Sequence, residues 1–156
     1  DGDADQFDDN LYLLKDKIQK WVSKGKKYLG ICMGAYWAGK RYFNILHNIN
    51  AVQYIKRPHT DTRRPHPKAL AVDWQGHEER MYFYDGCCFL DQGGDYEVVA
   101  RYANSNPAAI IQNNVGLIGP HPESDIYWYD KNYLLRHWHN YSHHQLLLKF
   151  VEKLFE

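Results

Sequence analysis

YLGICMGAYWAGK, residues 28–40, places Cys32 between Gly30 and Gly34. Before it, Lys26 to Ile31 is short and turns apolar toward its end; after it, small and aromatic residues from Gly34 to Phe43 keep a helical rhythm. The stretch predicts a strand, a sharp turn and a helix. It is the cysteine version of the G-x-S-x-G elbow, in which a nucleophile is presented on a tight, strained turn. On this reading a Cβ at Gly30 or Gly34 would crowd the packing of strand against helix. Cys32 would sit at a helix N-terminus, where free N–H groups favour a thiolate, and the N–H of Met33 would face an oxyanion formed at an attacked carbonyl. A lone cysteine is more often a small buried apolar residue, so the elbow alone leaves both readings open.

A second element is GLIGPHPES, residues 116–124, where an apolar strand ends in a histidine and a glutamate two positions apart. Residues i and i+2 of an extended chain point the same way, and Pro122 keeps His121 out of the helical region. Glu123 can therefore hold one ring nitrogen of His121 while the other takes the thiol proton. Standing alone, the same residues would make a solvent-facing His-Pro-Glu turn.

Around these elements, Phe7, Leu11, Leu14, Ile18, Trp21 and Val22 recur at helical spacing until Gly25, predicting a helix over 6–24. KRPHTDTRRPHPK, residues 56–68, has the prolines and basic residues of an irregular surface loop. AVDW (71–74), RMYFYD (80–85), YEVVARYA (96–103), AAIIQ (108–112) and VGLIG (115–119) read as a series of strands. Leu146, Leu147, Phe150, Val151 and Leu154 make the apolar stripe of a closing helix.

Composition narrows the possible partners. Lys plus Arg equals Asp plus Glu at 19 each, so no net field draws in nucleic acid or an anionic membrane. No apolar run reaches the ~20 residues of a membrane span. Three cysteines form neither a disulfide framework nor a zinc pattern, which points to a reducing, cytoplasm-like compartment. The adjacent Cys87 and Cys88 read as packing residues, with a redox pair as the alternative. His137, His139, His143 and His144 crowd one region, and 139/143 has metal-ligand spacing; lacking an acidic or cysteine companion they read as exposed helix-end histidines, and no metal is assigned. Gly93-Gly94 lacks the strand-then-helix setting of a dinucleotide site and reads as a hairpin turn, so no cofactor is assigned. The basic loop is read as solvated, with an anion site as the alternative.

The cysteine elbow followed 89 positions later by a strand-end H-P-E resembles the class I glutamine amidotransferase family in residue type, order and separation. With YFYDGCCF (82–89) and VVARYANSNPAAII (98–111) added, residues 1–125 look like the amidotransferase-like domain at the N-terminus of eukaryotic biotin–protein ligases. The resemblance implies one α/β domain over 1–156, a flavodoxin-like three-layer α/β/α sandwich. It implies Cys32 as nucleophile, His121 as base and Glu123 as third member, acting on the C–N bond of a small-molecule or peptide carboxamide through a thioester. Met33 and Gly2 would supply the oxyanion hole, and Tyr36 and Gly34 the substrate pocket. Tyr36 stands where glutamine-hydrolysing relatives commonly have Gln. Asp1 to Asp5 resembles the end of the family's Gly-rich loop, so the chain is expected to start in mid-domain, without the first strands. No Gly-Arg-Gly-Arg-like adenylate loop is found, which argues against the biotin-ligating domain itself. A regulatory or ligand-binding domain that retains the fold is the alternative.

Overall fold

The spacing of Ile18 and Val22 turns both toward an apolar cluster from one helix, α1 (Lys15–Ser23), entered through a 3-10 turn at Tyr12–Leu14. The computed structural model describes Phe7 and residues 11–156. Within that span α1 is shorter than the helix expected over 6–24. Its end is as expected: Gly25 takes φ +94°, which a side chain would resist, so that Lys26 N–H reaches back to the Trp21 carbonyl at 3.0 Å.

The elbow segment gives β1 (Tyr28–Ile31) and then α2 (Met33–Tyr36). The helix expected as far as Phe43 stops after one turn. The chain instead curls through residues 37–45, where Phe43 N–H bonds the Trp37 carbonyl at 2.8 Å and Asn44 takes φ 55°. The aromatic spacing there serves a compact turn that buries Phe43 against Phe7, with ring centroids 4.8 Å apart.

The expected strands are present as β3 (Lys68–Trp74), β4 (His77–Phe83), β6 (Glu97–Tyr102), β7 (Pro107–Gln112) and β8 (Val115–Ile118). Two more, β2 (Ile49–Gln53) and β5 (Cys87–Asp91), pair antiparallel as a separate ribbon. This corrects the hairpin reading of Gly93-Gly94. The turn exists, with Asp91 Oδ1 accepting both glycine N–H groups at 2.8 and 3.1 Å, but it carries the chain from the ribbon to the main sheet. A strand after such a turn need not pair with the strand before it.

The main sheet runs β1-β8-β7-β6-β3-β4, with β1 parallel to β8 and the other pairs antiparallel. Among the described residues β1 pairs only on its β8 side. α3 (Asn132–Leu135) and α4 (Ser142–Leu154) close the chain. Phe150 and Leu154 of α4 lie against Gly116 of β8 on one face of the sheet. On the other, Ile110, Val115 and Leu117 share a cluster with Phe7, Ala35 and Phe43. A mixed sheet with helices on both faces is an α/β sandwich of the kind expected.

Residues 57–67 are irregular, as KRPHTDTRRPHPK predicted. The ribbon is tied to the main sheet by Tyr102, whose buried hydroxyl donates to the Cys87 carbonyl at 2.6 Å. Tyr102→Phe leaves that carbonyl unsatisfied and should cost about 1–3 kcal/mol. A urea midpoint equal to wild type would show that the bond contributes nothing.

Candidate active site

Parallel strands end at the same edge of a sheet, and the pairing of Ile31 with Ile118 therefore brings the segments after β1 and β8 side by side. Cys32 N–H still donates to the Ile118 carbonyl, at 2.8 Å, before the chain reverses. Cys32 itself has φ 53° and ψ −103°, a strained conformation for a residue with a Cβ. The residue is 8% exposed, and its thiol donates to the Tyr84 carbonyl at 3.5 Å. One turn of helix leaves the dipole little to contribute. The Met33 N–H, first in α2, makes no hydrogen bond among the described residues. Gly2, the other expected oxyanion donor, lies outside the described residues.

The elbow glycines are not equivalent. A Cβ on Gly30 would lie 2.6 Å from the carbonyl carbon of Gly34 and 2.9 Å from Ala35 N, whereas one on Gly34 would meet only Tyr28 Oη, at 4.0 Å. The expected crowding holds for Gly30 and is corrected for Gly34. The Gly34 carbonyl instead accepts from Tyr28 Oη at 2.6 Å.

His121 is 3% exposed, anchored by its N–H to the Tyr82 carbonyl at 2.8 Å and flanked edge-to-face by Tyr82 and Trp128. Its Nδ1 lies 3.1 and 3.0 Å from the two carboxylate oxygens of Glu123. A carboxylate accepts, so Nδ1 carries a proton and Nε2 is the ring nitrogen left to exchange a proton with Cys32. That nitrogen is buried without a conventional hydrogen bond, while the thiol rests on Tyr84. Cys32 is nonetheless close enough to act on the ring. Burial alone would lower the imidazole pKa; interaction with Cys32 and then Glu123 outweighs it and raises the value to about 9. Cys32, His121 and Glu123 are thus brought together at one sheet edge.

Tyr36 is half-buried and donates to the Asp85 carbonyl at 3.0 Å, spanning from α2 to the turn between β4 and β5. Asp85 is fixed in turn by Gln53 Nε2, 3.0 Å from each carboxylate oxygen. Tyr84, Asp85 and Gln53 were not singled out from the sequence as site residues. YFYDGCCF contains the first two, but nothing in its pattern says that the chain after β4 turns toward Cys32.

The remaining candidates lie elsewhere. Cys87 and Cys88 are fully buried free thiols, Cys87 pushed well up by burial and the nearby Cys32 and Cys88, and Cys88 raised to about 11 by burial, which fits packing. The basic loop is bound internally: Lys68 Nζ donates to Thr62 Oγ1 and to the Arg64 carbonyl. The histidine cluster is not exposed as expected, because His143 is 2% exposed and His139 stacks on it at 4.3 Å. Among the described residues no group of three or more His, Cys, Asp or Glu is placed to hold a metal ion, and no helix is long and apolar enough to cross a membrane.

Residues 5–53, which include the elbow, match the family described as "Biotin-protein ligase, N terminal". No curated protein is similar enough in sequence to count as a match. Among solved structures, a glutamine amidotransferase is 18% identical, with a TM-score of 0.62 over 93% of this chain and 70% of the other. A glutamine amidotransferase from Thermotoga maritima is 12% identical, with a TM-score of 0.68 over 100% of this chain and 75% of that one. This chain has the fold of the glutamine amidotransferases. The match in sequence takes in the elbow but not H-P-E, and beyond residue 53 the likeness is one of fold. The structure titled PurLQS, from Thermotoga maritima, is also similar to the amidotransferase-like chain, at 17% identity and a TM-score of 0.58 over 88% of it and 68% of the other.

Proposed function

We propose that this is a cysteine hydrolase of amidotransferase type. The observation that carries the reading is a strained, nearly buried Cys32 beside an imidazole whose Nδ1 is held by Glu123 and whose Nε2 has no other use. In the reaction, Cys32 Sγ, its proton held on His121 Nε2, attacks the carbonyl carbon of a carboxamide. The oxyanion forms against the Met33 N–H. Collapse breaks the C–N bond, with Nε2–H protonating the departing amine or ammonia. Water, deprotonated at Nε2, then attacks the thioester carbon, and the C–S bond breaks to restore the thiol. Glu123 holds the tautomer throughout and supports the imidazolium. None of these steps uses a cofactor or metal. The carboxamide belongs to a small molecule or peptide, and the absence of net charge gives no support to a nucleic-acid partner. Free thiols suit a reducing, cytoplasm-like compartment.

A second reading, a ligand-binding domain without turnover, is favoured by one contact: the thiol is engaged by the Tyr84 carbonyl rather than poised on Nε2. Incubation with a carboxamide and ester library separates the two. Turnover, or an acyl adduct on Cys32 seen as an intact-mass increase and absent from Cys32→Ser, supports the hydrolase. Tight binding with neither supports the second reading.

Glutamine should be a poor substrate. Tyr36 occupies the position one turn beyond the nucleophile with its hydroxyl committed to the Asp85 carbonyl, and an apolar pocket disfavours a polar ligand group by about 10². Ammonia release at saturating glutamine should be at background in the native protein and rise in Tyr36→Gln. Vigorous release by the native protein would overturn this expectation.

A further inference from the structure

Glu123 is only partly buried, and among the described residues its carboxylate is held by His121 alone. Its register must therefore come from the backbone on either side. Upstream, His121 N–H is fixed to the Tyr82 carbonyl. Downstream stands Ser124, which is fully buried and shares a 2.7 Å hydrogen bond between its hydroxyl and that of Tyr129. The Ser124 carbonyl is met by two imidazoles at once, His139 Nε2 at 2.9 Å and His144 Nε2 at 3.0 Å. A carbonyl only accepts, so both rings donate through Nε2. His139 Nδ1 accepts the His143 backbone N–H at 3.2 Å, so that ring carries one proton and is neutral.

We propose that His139 and His144 are positioning residues for the triad, clamping the Ser124 carbonyl so that Glu123 stays in register with His121, and that a proton on His139 opens the clamp. The proposal rests on the reading of Cys32, His121 and Glu123 as a triad. A second proton on His139 has only Nδ1 to occupy, where the His143 N–H already points, so the bond that seats the ring on the start of α4 is lost. The ring also stacks on His143 at 4.3 Å and 16°, so charge on both would repel. The groups facing the cluster come from several elements. Glu79 of β4 lies 3.1 Å from His143 Nε2, and Asp125 acts on His139 from the triad loop. Tyr129 packs against His139, and Trp138 against His139 and His144, as does Tyr141 against His144. The Ser124 carbonyl at His139 and the two carboxylates favour the charged rings. Burial opposes them and prevails, lowering His139 to about 4 and His143 in the same direction. The folded form therefore favours neutral rings, and the clamp weakens as pH falls from the ordinary histidine range toward about 4.

The test is the rate at which iodoacetamide alkylates Cys32 in the full chain from pH 3.5 to 8, with circular dichroism to confirm the fold. His139→Ala/His144→Ala should slow alkylation at pH 7 by roughly tenfold, short of the ~100-fold that 1 Å of misplacement can cost. His139→Gln/His144→Gln, whose amide N–H can still reach the Ser124 carbonyl but cannot titrate, should restore the rate and remove the part of the acid limb that lies below about pH 5. Wild-type rates in the alanine pair, or an unchanged acid limb in the glutamine pair, would overturn the clamp; should the alanine pair not fold, the glutamine profile decides. His121→Ala is the control that separates the two claims. If it slows alkylation and the alanine pair does not, the clamp alone falls; if it has no effect, the triad reading falls and takes the clamp with it.

Discussion

At pH 7, His121→Ala should slow alkylation of Cys32 by about tenfold or more, because the variant loses the buried ring that takes up the thiol proton. The expectation follows from the pairing rather than from the short helix: one turn, Met33–Tyr36, supplies little dipole, whereas His121 is buried beside the thiol and carries its proton up to a pH of about 9. Burial works against that charge, and Cys32 and Glu123 overcome it. The advantage should therefore persist until the imidazolium deprotonates, and the profiles of wild type and variant should converge as pH rises through about 9. The sign for stability is the same. A folded-state pKa raised above 6.5 contributes stability that is fully present below pH 6.5 and is lost as pH rises through about 9. Intact-mass kinetics should show one adduct, since Cys87 and Cys88 are fully buried with thiols shifted upward. Any hydrolytic turnover should fall further, by about 10²–10⁴, because the same ring also serves as acid and base. Equal alkylation rates in wild type and His121→Ala across the range would leave Cys32 an ordinary buried cysteine.

What the sequence made legible was local. Cys32 between glycines and His121-Pro122-Glu123 after an apolar run are short-range patterns, and their meeting follows once β1 and β8 pair in parallel. β2 and β5 were not read as strands because neither carries clean alternation: Asn50 and Gln53 interrupt one, and Cys87-Cys88-Phe89 is buried on successive residues in the other. A strand buried on both sides has no period to detect. The histidines of α4 read as exposed because helix-end imidazoles usually are. Nothing in their spacing reveals that the Ser124 carbonyl, 15 residues before His139, folds back against them. Tyr84 and Asp85 were hidden for a similar reason, since their part in the site is played largely through backbone carbonyls that any residue type would supply.

The same limit separates the elbow glycines and sets up the second large effect. Gly30→Ala should lower stability by about 3 kcal/mol, the upper end for overpacking, or about 6–12 °C in Tm for a chain of this size. The new Cβ would stand 2.6 Å from the Gly34 carbonyl carbon and 2.9 Å from Ala35 N. Both are backbone atoms of the turn that Cys32 already strains, so no side chain can move aside. Relief requires β1 and α2 to separate, which pulls Cys32 N–H from the Ile118 carbonyl and the thiol from His121. Alkylation of Cys32 should therefore slow together with the fall in Tm. Gly34→Ala meets only the Tyr28 hydroxyl at ordinary contact distance, in a position where alanine is the better helix former by up to ~1 kcal/mol, so its Tm should hold or rise. The G-x-C-x-G spacing treats the two alike; the close approach of strand to turn exists at one of them. Melting curves of the two alanine variants, run side by side, decide the matter, and equal losses would mean that the motif, rather than the contact at Gly30, is what the fold requires.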